Sequence, residues 1–129
     1  MARITQLTVS AQSKPGVLAK VCDTLARAGV NITALCAAES SGRGRIRLVV
    51  SDPARAKEAL AAAKIRCGEE SALLLSLEDR PGALAAVSAR LAAAKINIKC
   101  AYATVAAAGT AAHVVVAVPN AEKAERALG

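Results

Sequence analysis

The chain has 129 residues, which allows one ordinary domain or two very small ones and excludes a large two-domain enzyme. Hydrophobic residues make up 54% of it and charged residues 21%, a balance that excludes a disordered or collagen-like chain. Phe and Trp are absent and alanine is the commonest residue, so the core must be built from small side chains. Because such a core gains little from each buried residue, we expect further burial in a homodimer or larger oligomer.

The formal net charge is +7, which raises the question of a nucleic acid partner. The basic residues are scattered singly, apart from the alternating run Arg43, Arg45 and Arg47. Tyr102 is the single aromatic residue, so there is no set of rings on which single-stranded bases would stack. We interpret the charge as a solvated surface and predict no nucleic acid partner.

No run of residues approaches the ~20 apolar residues that a membrane-spanning helix needs, and the first residues lack the apolar centre of a signal peptide. The four cysteines contain no C-x-x-C pair, so we expect reduced structural thiols and no metal or redox site. These features predict a cytoplasmic protein without a membrane partner. The cysteines are Cys22, Cys36, Cys67 and Cys100.

The chain contains an internal repeat. Residues 13–35 match residues 79–101 at a constant offset of 66 (81 − 15). Residues 52–60 match residues 120–128 at an offset of 68 (120 − 52), so copy two has two extra residues, which we place in the turn at 106–112. The repeat therefore predicts two copies of one structural unit. The matched pairs include Pro15/Pro81, Gly16/Gly82, Leu18/Leu84, Val21/Val87, Leu25/Leu91, Asn31/Asn97 and Ile32/Ile98.

Each copy is predicted to run strand, helix, strand, strand, helix. The first strands alternate apolar residues at period two, and the first helices carry an apolar face with spacings of three and four. The third strands alternate in the same way as the first. The residues that define these patterns in copy one are Leu7, Val9, Ala11, Leu18, Val21, Cys22, Leu25, Ile46, Leu48 and Val50, and in copy two Leu73, Leu75, Leu77, Leu84, Val87, Ser88, Leu91, Val114, Val116 and Val118.

Turn and cap residues separate these elements. Gly29 is placed where a helix C-cap would end the first helix, and Asp52 followed by Pro53 is typical of the start of the second. Residues 40–44 and 108–110 are predicted as the hairpin turns between the second and third strands. Residues 65–67 leave room for a short last strand in copy one, whereas copy two ends at Gly129 without one.

This order of elements predicts an α+β fold of two ferredoxin-like βαββαβ units in tandem, the second lacking its last strand. Each antiparallel sheet would carry its helices on one face. We place the first unit at residues 1–70 and the second at 71–129, with residues 68–70 as the link. The first strand of copy two is expected to have an unpaired edge, which invites pairing with another strand.

Alternation along the strands of copy two also predicts which side chains face the helices. The residues expected to face them are Ile98, Cys100, Tyr102, Val114 and Val116. The opposite face would then be apolar, unlike the same face of copy one, so we expect another sheet to cover it. Its residues would be Leu74, Ala101, Ala103, Val105, Val115 and Ala117, whereas copy one has Gln6, Thr8, Thr33, Arg45 and Arg47 there.

The Pro-Gly turn before the first helix of each copy is the candidate binding site. Backbone N–H groups at residues 16–18 and 82–84 would lie at the positive end of a helix, which favours carboxylates and phosphates. Asp79 would accept an ammonium group, so the turn of copy two offers partners to both ends of an α-amino acid. The alternative is that the turn has only a structural role, with Ser13 or Asp79 capping its helix.

The repeated string from the turn to the Asn-Ile of the second strand resembles the opening half of the ACT domain, and the whole layout is similar to tandem ACT proteins. This resemblance implies amino-acid binding at interfaces between ACT units, without catalysis. By position it implicates Ser13, Gly16, Val17, Leu18 and Asn31 in copy one, and Asp79, Gly82, Ala83, Leu84 and Asn97 in copy two. Ser13 departs from the acidic residue or Asn that is usual there.

No nucleophile, base and orienting residue occur together, and His113 is expected at a surface or interface. No phosphate-loop, dinucleotide or zinc-protease motif is present, so we predict no enzyme, catalytic residue, cofactor or metal. Three functions remain open. They are an amino-acid sensor, a regulatory subunit of a biosynthetic enzyme such as one of acetolactate synthase type, and a metal carrier, which the missing C-x-x-C disfavours.

Overall fold

A computed structural model describes residues 1–105 and 111–129, and the side chains of residues 1–104 and 111–129. Among these residues the chain forms six strands and four helices, in the alternation that the repeat predicts. The predicted turn at 108–110 and the two extra residues of copy two lie outside the described residues. The elements are β1 (Ala2–Gln12), α1 (Val17–Arg27), β2 (Ile32–Ser40), β3 (Arg43–Val50), α2 (Pro53–Ala62), β4 (Cys67–Glu78), α3 (Ala83–Ala93), β5 (Cys100–Val105), β6 (Ala111–Ala117) and α4 (Ala121–Leu128).

The packing divides the chain into two compact units, and Thr5–Glu69 forms the one that contains copy one. In this unit β3 pairs antiparallel with β1 on one side and with β2 on the other. Alternate residues of β1 and β3 face α1 and α2, as the period-two pattern predicts. Their core contains Leu7, Val9, Val21, Leu25, Val30, Ile46, Leu48, Val50, Ala56 and Leu60.

The other unit consists of Met1–Ile4 and Glu70–Gly129 and contains copy two. Here β6 pairs antiparallel with β4 and with β5, and α3 and α4 cover one face of the sheet. The pattern of buried residues repeats that of copy one. The core contains Leu73, Leu75, Leu91, Ile96, Val114, Val116, Val118, Ala121 and Ala124. The α+β fold of two ferredoxin-like units is therefore confirmed.

The N-terminal segment belongs to the unit of copy two. Met1–Ile4 is part of this unit, and β1 lies next to β4 in the strand order. The Arg3 guanidinium also forms an ion pair with Glu125 on α4. The expectation that the first strand of copy two has an unpaired edge is therefore wrong.

Residues 68–70, predicted as a link, are part of a strand. β4 begins at Cys67 and continues without interruption to Glu78, so it contains both the last strand of copy one and the first strand of copy two. The division between the units falls within this strand, after Glu69. Ser, Asn and Pro are absent from residues 65–70, so these residues carry only Gly68 as a turn-forming signal.

The predicted caps at Asp52 and Gly29 are present, and the end of α1 also forms a Schellman motif. Asp52 Oδ1 accepts a hydrogen bond from the Arg55 N–H at 3.1 Å, so the predicted cap is confirmed. After α1, Gly29 has φ +73° and donates to the Ala26 carbonyl, while the Val30 N–H donates to Leu25. These two bonds form a Schellman motif, which requires a left-handed residue at the position of Gly29. In copy two that residue is Lys95, at φ +59°.

The predicted faces of β5 are wrong by one residue. Tyr102 lies opposite Val115 in the strand pairing and Cys100 lies opposite Ala117, so both point away from the helices, while Ala101 lies opposite the core residue Val116. Ile98 packs on the core. Ile98 and Cys100, two residues apart, would share a face in a regular strand, but here they lie on opposite faces. Copy one has a corresponding irregularity, which is a shift in the strand register between Ile32 and Ala34.

The face of copy two opposite its helices is largely buried already in the single chain. Val115 is 2% exposed and Ala117 is 0% exposed, whereas Leu74 is half-buried. The expected apolar face therefore needs no second molecule to bury Val115 and Ala117. The side chain of Val105, the other large residue expected there, lies outside the described residues.

Candidate functional site

The turn between the first strand and the first helix has the same backbone in both copies. Gly16 is the N-cap of α1 with φ +92°, and Gly82 is the N-cap of α3 with φ +89°. Both values lie in the left-handed region, which favours glycine. A Cβ at either position would meet no heavy atom within 4 Å, so the backbone conformation, and not lack of space, requires glycine.

The start of α1 presents unused backbone donors. The Val17 N–H donates a long hydrogen bond of 3.4 Å to the Lys14 carbonyl, and the Lys20 N–H begins the helical pattern by donating to Gly16 at 2.9 Å. In the part of the chain that the structure describes, the N–H groups of Gly16 and Leu18 have no partner. These two donors lie at the positive end of the helix, which favours an anion.

A groove of about 220 Å³ lies beside this turn in copy one. Its volume is below the ~300–1,000 Å³ of pockets for drug-sized ligands, so it suits a molecule of amino-acid size. The floor is apolar, with one cation, Lys14, and one anion, Glu39, at its border. Neither of these forms an ion pair among the described residues. The lining residues are Ser13, Lys14, Val17, Leu18, Ala37, Ala38, Glu39, Gly44 and Ile46.

Sequence reasoning missed Glu39, because it is 23 residues (39 − 16) from the turn in the chain. Two contacts bring it there. The Ser13 N–H donates to the Gly42 carbonyl at 2.9 Å, which ties the turn to the β2–β3 hairpin, and Glu39 lies opposite Gly44 in that hairpin. The sequence does contain a signal for this placement. Glu39 lies near the end of β2 and faces Gly44, whose missing side chain leaves space beside the acid.

Leu18 and Leu84, which the repeat places at the start of the apolar helix faces, are exposed. Leu18 is 39% exposed and Leu84 is 48% exposed, whereas Leu25 and Leu91 further along the same helices are fully buried. Val17, in the first turn of α1, is half-buried and packs against the core, whereas Leu18 next to it points outward. A leucine of that exposure at the start of a helix is available to contact a ligand or a partner.

In copy two the corresponding turn contains Asp79, Arg80 and Gly82. The Arg80 guanidinium donates to Glu78 Oε2 at 2.6 Å and to the Pro81 carbonyl at 3.3 Å, so it is held back along the strand. The Ala83 N–H donates a long bond of 3.4 Å to the Arg80 carbonyl, as Val17 does to Lys14 in copy one. The hairpin that would face this turn contains residues 106–110, which lie outside the described residues.

Asn31 and Asn97 do not lie with the turn in their own unit. Asn31 precedes β2, at the far end of the 11-residue helix α1, about 16 Å from the turn along the helix axis. It exchanges hydrogen bonds with Ser51, its N–H donating to Ser51 Oγ at 3.0 Å and its carbonyl accepting from the Ser51 N–H at 2.9 Å. Asn97 is exposed at the same place in copy two.

Groups suited to other chemistry are dispersed. His113 is exposed on β6, opposite Ser76 and Thr104. The four cysteines are half-buried thiols. Within residues 1–105 and 111–129, no three His, Cys, Asp or Glu side chains are grouped as metal ligands, and no helix has the length and apolarity to span a membrane.

Comparison with known families identifies this arrangement. The family model described as the ACT domain pair matches residues 2–128, nearly the whole chain. No protein with a curated description matches the chain in sequence.

Several solved structures have the same fold. Protein BT0572 from Bacteroides thetaiotaomicron is 32% identical, with a TM-score of 0.88, over 98% of this chain and 86% of that one. The regulatory subunit of aspartate kinase from Thermus thermophilus, in its ligand-free form, is 20% identical with a TM-score of 0.68, over 99% and 95%. The corresponding subunit from Thermus flavus is 21% identical with a TM-score of 0.66, over 98% and 91%. The Thermus likenesses concern the fold alone.

Proposed function

The chain belongs to the family of ACT domain pairs, and from that membership we propose that it is a non-catalytic regulatory protein that binds a free amino acid beside the β1–α1 turn. The observation that carries this proposal is the groove of copy one, where Lys14 and Glu39 border an apolar floor beside the start of α1 and its unused N–H donors. The Thermus proteins of similar fold are named as regulatory subunits, which is consistent with a regulatory role.

The groove offers a partner to each part of an α-amino acid. The carboxylate would accept hydrogen bonds from the Gly16 and Leu18 N–H groups, with Lys14 nearby. The ammonium group would pair with Glu39, which supplies the acid that Ser13 does not. The side chain would lie on Val17 and its apolar neighbours in the groove. Its small volume favours a small or medium-sized side chain.

Copy two remains a predicted second site, formed by Asp79, Gly82, Ala83 and Leu84. The left-handed Gly82 and the helix start repeat those of copy one. Here the acid comes from the turn itself instead of the hairpin. We therefore expect both copies to bind, with different preferences for the ligand side chain.

A homodimer is part of the proposal. Asn31 and Asn97 lie about one helix length from the turns of their own units, so they can line a site only by meeting the turn of another ACT unit. The exposed Leu18 and Leu84 are available for the same contact. Such an arrangement would let a ligand stabilise one assembly over another, which requires a different affinity for the two states. The thiols are consistent with a cytoplasmic location.

A thermal-shift screen with the twenty amino acids tests this function, since a ligand that binds the native state raises the melting temperature. Calorimetry with the best ligand would then compare Glu39→Gln with Glu58→Gln, an exposed acid on α2 without an ion pair among the described residues. We expect Glu39→Gln or Asp79→Ala, or both, to weaken binding at least tenfold, and Glu58→Gln to leave it unchanged.

The second candidate is a regulatory subunit that binds an enzyme without a ligand of its own. The exposed leucines at the starts of α1 and α3 favour it, because a large apolar residue outside the core is suited to a protein interface. No shift with any amino acid, together with intact folding, would reject the sensor and leave this candidate.

A further inference from the structure

Three arginines lie on the face of copy one that is opposite its helices. Arg43, Arg45 and Arg47 alternate along β3, and side chains two residues apart in a strand share a face. Ile46 and Leu48, which lie between them, are in the core under the helices. The arginines therefore point away from the helices and from the groove beside the turn.

At the described positions paired with these arginines, the neighbouring strands add hydroxyl groups and no acid to this face. In the strand pairing Arg43 lies between Gln12 and Ser40, Arg45 between Ser10 and Ala38, and Arg47 between Thr8 and Cys36. Residues that lie directly opposite one another point to the same side of a sheet. The described residues at these positions thus form a patch of two exposed arginines, the half-buried Arg47 and three hydroxyl groups.

The patch borders a cavity of about 490 Å³, a volume typical of a small-molecule site. Arg43 and Arg45 are exposed, and neither forms an ion pair among the described residues. The Arg43 guanidinium donates to Ser10 Oγ at 3.3 Å, which orients it along the cavity wall. Among the described residues that line the cavity, Glu39 is the one carboxylate against three arginines, so positive charge predominates. The polar lining consists of Ser10, Glu39, Ser40, Ser41, Arg43, Arg45 and Arg47.

The chemistry of the patch selects an anion with more than one charged group. A guanidinium donates two parallel hydrogen bonds to a phosphate or carboxylate, and successive arginines on a strand are about 7 Å apart. Phosphate groups also accept hydrogen bonds from serine hydroxyls. Residues 5–69 contain no aromatic residue on which bases would stack, so the patch lacks what a site for single-stranded nucleic acid uses.

We propose that the arginine face of copy one binds a small molecule that carries two or more phosphate groups. This site differs from the amino-acid groove, because its arginines lie on the other face of the sheet. Among the described residues, the two sites share only Ala38, Glu39 and Gly44 at their common border. An ACT domain pair with such a site would respond to two different metabolites. The proposal does not depend on whether the groove binds an amino acid.

Calorimetry with inorganic tripolyphosphate tests the proposal. Arg45→Gln removes one charge from the patch, and Arg66→Gln removes one from an exposed arginine of the same unit that lies beside Lys57 and Lys64, away from the patch. We expect Arg45→Gln to weaken binding about tenfold or more, Arg45→Lys to restore part of it, and Arg66→Gln to change it less than twofold. All three variants should keep the melting temperature of the parent chain, since both arginines are exposed.

Three results would overturn the proposal. They are no binding of tripolyphosphate at moderate salt, equal losses in Arg45→Gln and Arg66→Gln, and binding of a single-stranded RNA that tripolyphosphate does not displace. Equal losses in the two variants would mean that tripolyphosphate is attracted only by the net charge of the chain. RNA binding that tripolyphosphate does not displace would assign the patch to nucleic acid. An amino acid that binds with unchanged affinity in Arg45→Gln would show that the groove is intact, so the two proposals can fail separately.

Discussion

Thr8 Oγ1 lies 2.8 Å from the position that a Cβ atom on Gly68 would occupy. The two residues are on β1 and on the part of β4 that completes copy one. A separation below 3.0 Å does not occur between real Cβ atoms and their neighbours, so any side chain at position 68 would force Thr8 to move. Thr8 is β-branched and therefore stiff, which makes that movement costly.

A double-mutant cycle tests this contact. We expect Gly68→Ala to reduce the free energy of unfolding by about 1 kcal/mol more in the parent chain than in Thr8→Ala, because the smaller residue makes room for the new methyl group. Urea denaturation of the four chains gives the coupling energy. Gly44→Ala is the matched control, since its nearest neighbour would be the Ala11 carbonyl at an ordinary 3.6 Å. A coupling near zero for Gly68, as for Gly44, would refute the contact.

The N-terminal segment leads to a second prediction. Deletion of residues 2–4 should destabilise the unit of copy two by about 2 kcal/mol or more, because it removes the first residues of β1, which belong to that unit. Arg3→Ala should cost less than about 1 kcal/mol, since the Arg3 and Glu125 side chains are 57% and 32% exposed. Thermal denaturation compares the two. Equal effects would mean that the ion pair, and not the strand, holds the segment.

The sequence predicted the elements well because both copies carry the same patterns and each supports the other. Asp52 illustrates this, since it begins a helix in copy one and Asn120 does the same in copy two, with its Oδ1 accepting from the Lys123 N–H at 3.0 Å. The predicted strand faces failed at β5, because a shift of one residue moves a side chain to the other face of the sheet. A register shift at the start of β2 and its equivalent before β5 reversed the faces expected for Cys100 and Tyr102.

Contacts between residues distant in the chain could not be predicted from the pattern. Arg3 lies before the repeat begins to match, so nothing marked it as part of the unit of copy two. Glu39 reaches the candidate groove only because the hairpin is tied to the turn through Gly42. Both placements follow from how the strands pair, which a single sequence with one strong repeat leaves open.

Two lysines in left-handed backbone give a third prediction. Lys64 at φ +61° and Lys95 at φ +59° follow α2 and α3, where Gly29 with φ +73° follows α1. Since a side chain in this region costs about 1 kcal/mol, Lys95→Gly should raise the free energy of unfolding by up to about that amount. Gly29→Ala should lower it by a similar amount, because the nearest atom to the new Cβ, on Arg55, lies at an ordinary 3.8 Å. Calorimetric melting of both variants would check the opposite signs.

The thiol of Cys67 gives the last prediction. Burial raises the pKa of this thiol above its ordinary value of 9.0, and the nearby Glu69 carboxylate raises the pKa further, while Lys57 lowers it. Hydrogen bonding to Glu69 in turn raises the pKa of the Lys57 amine above 10.5. Because the folded chain holds both protons more tightly than the unfolded chain, this contribution to stability is complete below pH 9.0 and declines as the pH rises through the two folded values.

Alkylation of Cys67 measures this shift directly, because the thiolate is the reactive form. We expect the native chain to react more slowly at Cys67 than the urea-unfolded chain between pH 8 and 9, with its rate rising at a higher pH. Glu69→Gln should speed the reaction, since it removes a charge that disfavours the thiolate, and Lys57→Gln should slow it. Peptide mapping after timed iodoacetamide treatment separates Cys67 from the other cysteines. Equal rates in the two variants would show that the Lys57–Glu69 pair does not act on this thiol.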